Sequence, residues 1–477
     1  MHTNKKHNLV AIACLCLLLA ACAIPTSMVP RKENKDMPGF FREQRDTANT
    51  AKIKWRQFFT DPNLIFLIET ALTKNQELNI VLQEINIAQN DVRARKGEYL
   101  PFVDVMAGAG VERVARYTRN GSVEKNYEIE PGKEFPEPLP DYLLAANFNW
   151  QVDIWKKLRN AKKSATLRYL ATNEGKNFLV TRLVAEIANS YFELMALDNQ
   201  LEILKQNIKI QQDALAIVTQ EKQAARVTEL AVRRFEAEVL KNQSRIYHVQ
   251  QSIIETENRI NFLVGRYPQP IERNYKTFSD IVPNTIQEGL PSQLLQNRPD
   301  VRSAELNLSA AKIDVSVAKA NFYPSLNISA TLGLQSYSPR LLGNAESVLY
   351  SIGGGLAQPL INRNAIKAIF FTANAKQVQV VYGYEQTLLK AYIEVANQLA
   401  NISNMQKSYD LQKGQVEALT ESINISTRLF RFARADYMEV LLTQRDAMES
   451  KFELVETKKQ QLTAMVNVYQ ALGGGWN

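Results

Sequence analysis

The side chains that most often carry out chemistry are nearly missing from this chain. Its 477 residues include three histidines and three cysteines. His2, His7, Cys14, Cys16 and Cys22 all fall within the first 22 residues, which leaves His248 alone in the body of the chain. A zinc site built from cysteine and histidine cannot be assembled within one such chain. A disulfide framework is equally excluded. Ser-His-Asp or Cys-His catalysis would have to use His248, which sits between Tyr247 and Val249 in a long helical pattern. A carboxylate-based enzyme survives the arithmetic, but the sequence offers no glycine-rich phosphate loop and no carboxylate pair outside helical surfaces. The expectation is a protein that is not an enzyme, with no cofactor and no metal. With 57 basic and 49 acidic side chains the chain carries +8, the two signs interspersed, so there is no nucleic-acid footprint.

The one reactive group with a clear role is the Cys22 thiol. Lys5 and Lys6 precede an apolar run, Leu9 to Leu19, that is too short to span a bilayer. The run ends in Leu19-Ala20-Ala21-Cys22, which resembles a bacterial lipobox. Residues 1–21 then form a lipoprotein signal peptide, and acylated Cys22 is the first mature residue and the site of lipid attachment. Without the leader the chain has 456 residues, 55 basic and 49 acidic, a net charge of +6. Ala23 rather than Asp follows the cysteine, which by resemblance to Gram-negative lipoproteins points to the outer membrane. Several acyl chains on one cysteine anchor firmly where one alone is marginal.

The remainder is two copies of one unit. With Pro101 set on Pro324, Leu72 meets Leu295, Asp91 meets Asp314, Lys96 meets Lys319, and Tyr99-Leu100-Pro101 meets Phe322-Tyr323-Pro324. Further on, Glu186-Ile187-Ala188-Asn189 meets Glu394-Val395-Ala396-Asn397, and Leu263-Val264-Gly265 meets Ala471-Leu472-Gly473. The offset changes because the first copy carries extra residues before its second strand. Repeats are the feature to settle first, since missing them misreads the whole fold.

Proline marks the long elements. None lies between Asp141 and Tyr267, or after Leu360. Within these stretches Leu194, Leu197, Leu201, Leu204 and Ile208 step by three and four, as do Val232, Phe235 and Val239. Asn242 and Thr256 fill two polar slots of that second stripe. Leu441, Met448, Phe452 and Val455 repeat the pattern in the second copy. Sustained heptads predict helices that coil on neighbours, each about 100 Å long at ~1.5 Å per residue. Asp61-Pro62 and Arg298-Pro299-Asp300 place proline at a first helical position with acid near the positive end of the helix dipole.

Between the helices the period changes to two. Leu144, Ala146, Phe148, Trp150 and Val152 alternate with Asn147, Asn149 and Gln151; Leu326, Ile328, Ala330, Leu332 and Leu334 alternate with Ser325, Asn327, Ser329 and Thr331. Val348, Tyr350, Ile352 and Leu356 share a third face, and Phe102 to Val114 is a weaker fourth case. The length, about ten residues, suits a transmembrane β-strand, as does alternation against small and weakly polar residues. Phe102, Tyr142, Trp155 and Tyr337 stand at strand ends as membrane-interface aromatics. In lipid a sheet must close, and about eight strands is the practical minimum. One chain supplies four, so it must be an oligomer: two copies give a filled lumen, three give twelve strands and room for a pore.

Asn297-Arg298-Pro299-Asp300-Val301-Arg302-Ser303-Ala304-Glu305, followed by Phe322-Tyr323-Pro324, closely resembles the second-repeat signature of the TolC-like outer membrane factors. Trp55-Arg56-Gln57-Phe58-Phe59-Thr60-Asp61-Pro62-Asn63-Leu64 is similar to their N-terminal motif, and Ala471-Leu472-Gly473-Gly474-Gly475-Trp476 to the ending of the lipoprotein branch that serves drug efflux. The resemblance spans essentially the whole mature chain. It implies an α plus membrane β-barrel fold: a homotrimer whose four strands per chain complete a 12-stranded barrel on a long α-helical coiled-coil barrel. It implies a periplasmic adaptor (membrane fusion) protein and an inner-membrane pump of the resistance–nodulation–division class, with outer-membrane lipid around the barrel and the helices extending into the periplasm. In such a family the hairpins close the periplasmic end. Here they turn near Ala224 to Thr228 and near Phe432 to Asp436, with Ala225, Thr228 and Ala433 as turn candidates, and Arg434, Asp436, Glu439 and Arg445 are the aperture candidates. Alanine stands where the family has glycine at each turn, and the acid one helical turn after Glu439 is missing. The competing expectation is that Asp436 caps the following helix and Glu439 faces solvent.

The resulting organisation is 1–21 signal peptide; 22–60 N-terminal periplasmic segment; 61–265 first repeat, with strands near 101–114 and 143–155; 266–296 equatorial segment; and 297–477 second repeat, with strands near 324–336 and 347–358. The Glu- and Pro-rich insert Glu128 to Asp141 is expected to be an extracellular loop, disordered or folded over the mouth. The function expected is a passive exit duct for drugs or other small molecules. Alternatives are a type I protein-secretion duct and a structural coiled-coil lipoprotein with no channel; the strands and the duplication favour a duct, because a tether needs neither.

Overall fold

The computed structural model describes residues 31–41, 48–283, 286–359, 361, 363–432 and 434–476. The leader, Cys22 and Ala433 lie outside the described residues. The chain forms two compact units, one of residues 31–32, 87–169 and 306–381, the other of residues 33–86, 170–305 and 382–476.

The first unit holds a four-stranded antiparallel sheet in the order β1 (Phe102–Glu112), β4 (Leu139–Val152), β5 (Ser325–Ser336), β6 (Val348–Ala357). Each repeat supplies two neighbouring strands, and β4 pairs with β5 across the repeats, Phe148 opposite Ala330 and Trp150 opposite Ile328. Within the sheet β1 and β6 each have one strand neighbour, so two edges are left open. The 113–138 insert is folded. It contains α3 (Arg119–Asn126), begun by the Thr118 hydroxyl accepting from the Gly121 N–H, and a small hairpin of β2 (Glu128–Glu130) and β3 (Lys133–Glu134). Lys133 pairs with Glu130, and the Tyr337 hydroxyl donates to Glu130. The expectation of a loop reaching to Asp141 is corrected here: β4 starts at Leu139 because Leu139, Pro140 and Asp141 continue the ladder opposite Glu112, Val111 and Gly110.

The second unit is built on helices. Helix α1 (Pro62–Lys74) is amphipathic, and the Asp61 side chain caps it by accepting from the Asn63 and Leu64 N–H groups. After one extended residue, Asn75, comes α2 (Gln76–Glu98). The second repeat breaks at the matching place: a one-turn helix Leu294–Asn297, extended Arg298, then α6 (Pro299–Ala320). Arg298 cannot continue the helix because proline follows it. The long helices are α4 (Lys157–Gln223), α5 (Glu229–Val264), α7 (Asn364–Arg431) and α8 (Tyr437–Ala471); residues 87–98 of α2, 157–169 of α4, 306–320 of α6 and 364–381 of α7 belong to the first unit.

The duplication is visible in backbone detail. Gly265 ends α5 in the left-handed region, with Arg266 N donating to Asn261 O. Gly473, also left-handed, follows α8, with Gly474 N donating to Tyr469 O in the same six-to-one bond. A Cβ on Gly265 would lie 2.3 Å from Lys74 O, and one on Gly473 would lie 2.5 Å from Asn297 O. The two helix breaks are held alike: the Asn75 side chain donates to Leu263 O at 2.8 Å, and Arg298 donates to Ala471 O at 2.9 Å.

The main core of this unit joins both repeats and packs the Trp55–Leu64 segment against α8. Phe58 stacks on Tyr469 at 4.0 Å, Tyr469 donates to Ile53 O at 2.6 Å, and Leu64, Ile68, Ile187, Leu194 and Val466 fill the surrounding space. The Trp55–Leu64 motif is therefore a docking motif for the C-terminal helix.

Candidate functional site

Three groups of residues could serve a duct: the two faces of the sheet, the aromatics at its ends, and the tips of the long hairpins. The register assigns the faces. One carries Val103, Val105, Leu144, Leu332, Val348, Tyr350, Ile352 and Leu356, all exposed, with Tyr350 and Ile352 about four-fifths so. This is a continuous apolar surface of the kind that needs lipid or another protein against it. The other face carries Asp104, Asn147, Asn149, Ser329, Thr331 and Ser351. Asn147 donates to Asp104 at 3.1 Å and accepts from Thr331 at 3.0 Å, a polar ladder that suits water.

The aromatics fall into two pairs by strand end. Trp155 lies just past the end of β4, stacks on Tyr323 at 4.6 Å and donates to Pro324 O at 2.8 Å. Tyr142 is on the apolar face at the opposite end, near Tyr337, which follows β5. Phe102 departs from the expected girdle. It pairs with Asn149, which puts it on the polar face beside Asp104, because side-chain direction in a strand is set by parity and not by composition.

At the first hairpin tip, α4 ends in a Schellman-type turn: Arg226 N donates to Glu221 O and Ala225 N to Lys222 O, with Ala225 at φ 58°. Thr228 occupies the N-cap position of α5 without a side-chain capping bond. Most charges here are paired within the chain, Arg234 being the exception among the described residues. Glu229 is bonded to Lys222 and lies 2.8 Å from Arg233, which also reaches Glu236 at 2.8 Å. The Lys222 contact first, then Arg233, holds the Glu229 carboxyl below its ordinary value.

The second tip repeats the geometry, Arg434 N donating to Leu429 O. Its charges differ. Asp436 is at the N-cap position of α8 but makes no side-chain capping bond, so it does not serve as the expected cap. Glu439 is in the first turn of α8 and exposed. Among the described residues neither acid has an ion-pair partner in the chain, nor has Arg434. Arg445 sits 3.1 Å from Asp446 on its own helix. The second tip thus presents unpaired charge of both signs, and the first does not.

The sequence shows Arg298 only as one letter of a motif; its role comes from the fold. It is buried, forks onto Asp300 at 3.0 and 2.7 Å, and reaches Glu394 at 2.9 Å. With Glu394, Gln398, Asn467 and Gln470 it lines a polar cavity of about 280 Å³. No helix among the described residues is long and apolar enough to cross a membrane, and no group of three or more His, Cys, Asp or Glu among them could hold a metal ion. His248 is exposed on α5.

The chain matches the family model described as Outer membrane efflux protein over residues 67–266 and 290–474. It is 27% identical to the pyoverdine export outer membrane protein OpmQ of Pseudomonas putida over 471 residues, 97% of each chain. It is 25% identical to the cation efflux system protein CusC of Escherichia coli, covering 97% of this chain and 98% of that one. The crystal structure of the open state of the Neisseria gonorrhoeae MtrE outer membrane channel superposes with a TM-score of 0.82 at 20% identity, covering 94% of this chain and 99% of that one.

Proposed function

The chain belongs to the outer membrane efflux protein family, and on that premise we propose how its parts divide the work. It is an outer-membrane exit duct of an efflux system. Three copies complete the barrel. β1 and β6 run antiparallel to each other across the sheet, so the open β6 edge of one copy accepts the β1 edge of the next, and the ring closes at twelve strands. Lipid meets the apolar face and water the polar one. Acylated Cys22 is a second anchor.

The observation that carries this reading is the sheet: four strands with two open edges, one face apolar and exposed, the other polar. The duct is passive, and its partners are a periplasmic adaptor and an inner-membrane pump of the resistance–nodulation–division class. The cargo is small molecules or ions chosen by the pump. Pyoverdine and cations, named for two of the relatives, are cargoes of quite different chemistry.

The second hairpin tip is the resting closure. Its unpaired Arg434, Asp436 and Glu439 find partners on neighbouring copies, with Arg445 behind them. Threefold symmetry turns each acid into a ring that attracts cations. The test is single-channel recording in planar bilayers with the trimer verified in detergent. Small resting conductance and cation selectivity are expected. Asp436→Ala with Glu439→Ala lowers that selectivity, and Arg434→Ala raises resting conductance. A chain that stays monomeric and forms no channel would sink the duct; unaltered selectivity and conductance in all the variants would move the constriction elsewhere and leave the duct intact.

A further inference from the structure

In the second unit the apolar packing nearest the hairpin tips is interrupted between two clusters in three helices, and we infer that this interruption is a hinge about which the hairpin tips move. The tip cluster consists of Val218 of α4, Ala231 and Phe235 of α5, and Leu441 of α8. The next cluster consists of Leu197 and Leu204 of α4, Val249 of α5, and Met448 and Phe452 of α8. The two are separate. Between them each helix places a buried amide in the stripe that faces its neighbours: Gln211 on α4, Asn242 on α5 and Gln444 on α8, none more than 3% exposed. Asn207, one helical turn before Gln211, is buried too.

These amides are incompletely paired. Asn242 donates to Gln211 at 2.9 Å. Gln211 Nε2, Asn242 Oδ1, Gln444 Oε1 and Asn207 Oδ1 are buried with no hydrogen-bond partner. An apolar layer holds one register by interlocking volume, and sliding it opens voids. An amide layer with spare donors and acceptors is different: when one helix turns or shifts, the bond that is lost can be replaced by one that was unmade. The layer therefore tolerates two arrangements of similar energy, which is what a hinge between two rigid bodies requires. A polar residue in a heptad core also lowers stability relative to an apolar one, so an apolar seam would be the tighter solution if the helices only had to hold still. The tip turns, with Ala225 and Arg434, lie on the moving side.

What the motion is for rests on reading the tip as the closed end of the duct. The hinge itself does not, since it can be read on the isolated trimer without pump or conductance. The experiment is native-state hydrogen exchange on the purified full-length trimer, resolved into segments on either side of the layer. Segments 212–236 and 437–443 are expected to exchange together, at least about tenfold faster than 190–204 and 248–262. Replacing the pair, Gln211→Leu with Asn242→Leu, joins the two clusters and slows exchange on the tip side by at least about tenfold, leaving the other side unchanged. If that pair does not assemble, Gln444→Leu on the third helix carries the same expectation. Equal protection on both sides in the native protein would overturn the inference. So would tip exchange that the apolar layer leaves unchanged, because motion arising from frayed ends would not respond to it.

Discussion

Removing Arg298 is the sharpest test of how this fold is tied together. Its side chain is 5% exposed and makes four bonds: two to Asp300, one to Glu394 and one to the Ala471 carbonyl. Burial opposes the guanidinium charge, and the bonds to Asp300 and Glu394 outweigh that, so its pKa is raised. Arg298→Ala leaves Asp300 without its cation, Glu394 with only the 3.8 Å contact to Lys390, and a helix-end carbonyl without its donor. Breaking a buried pair from one side costs about 3–5 kcal/mol. The Glu394 side chain is 39% exposed and can rehydrate, so the lower end applies, about 3 kcal/mol. Unfolding entropy scaled to a chain of this length makes each kcal/mol worth about 1–2 °C, which gives a fall of about 3–6 °C in the thermal midpoint of the detergent-solubilised trimer. Arg298→Met combined with Asp300→Asn and Glu394→Gln removes both stranded charges and is expected to recover at least half of the loss. The matching neutral position, Asn75→Ala, should cost about 1–2 kcal/mol, because only uncharged bonds to Leu263 and Leu78 are lost. A loss below about 1 kcal/mol for Arg298→Ala, or no recovery in the triple variant, would refute the claim that stranded charge dominates the cost.

Three further outcomes are expected. Ala225 holds φ 58°, a region that costs an L-residue about 1 kcal/mol, so Ala225→Gly should slow proteolysis at the first hairpin turn by roughly two- to fivefold; faster cleavage would mean that the turn is not strained. Asp153, just beyond β4, is desolvated, which pushes its carboxyl up, but the Arg159 and Leu158 N–H groups and the Arg159 guanidinium outweigh that and hold it below its ordinary value. The unfolded chain then binds that proton more tightly, so the stabilisation is full above about pH 4 and is lost as pH falls through the lower folded value; Asp153→Asn should flatten the acid limb of the melting curve, and an unchanged limb would reassign it. Cys22→Ser should abolish labelling by radioactive palmitate while trimers still fractionate with the outer membrane, and a wholly soluble monomer would refute the barrel.

Periodicity and glycine, proline and cysteine placement are local properties, and the sequence carried them openly. The heptad runs, the period-two segments and the Leu263–Gly265 match to Ala471–Gly473 announce two copies of a unit with paired strands and long helices. Parity along a strand is local too, so the apolar and polar faces could be read before any partner was known. Contacts between segments far apart in the chain are another matter. Parity puts Phe102 on the face of Asp104, but nothing near it says that Asn149 stands opposite. The family motif around Arg298 is legible as letters, but its reason needs Glu394 and Ala471, about a hundred and more residues away. Asn242 was visible as a polar slot in one stripe. Only the packing of three helices shows that Gln211 and Gln444 fall between the same two clusters as Asn242, because a heptad fixes which face of a helix is buried and leaves its height against a neighbour to the packing of both.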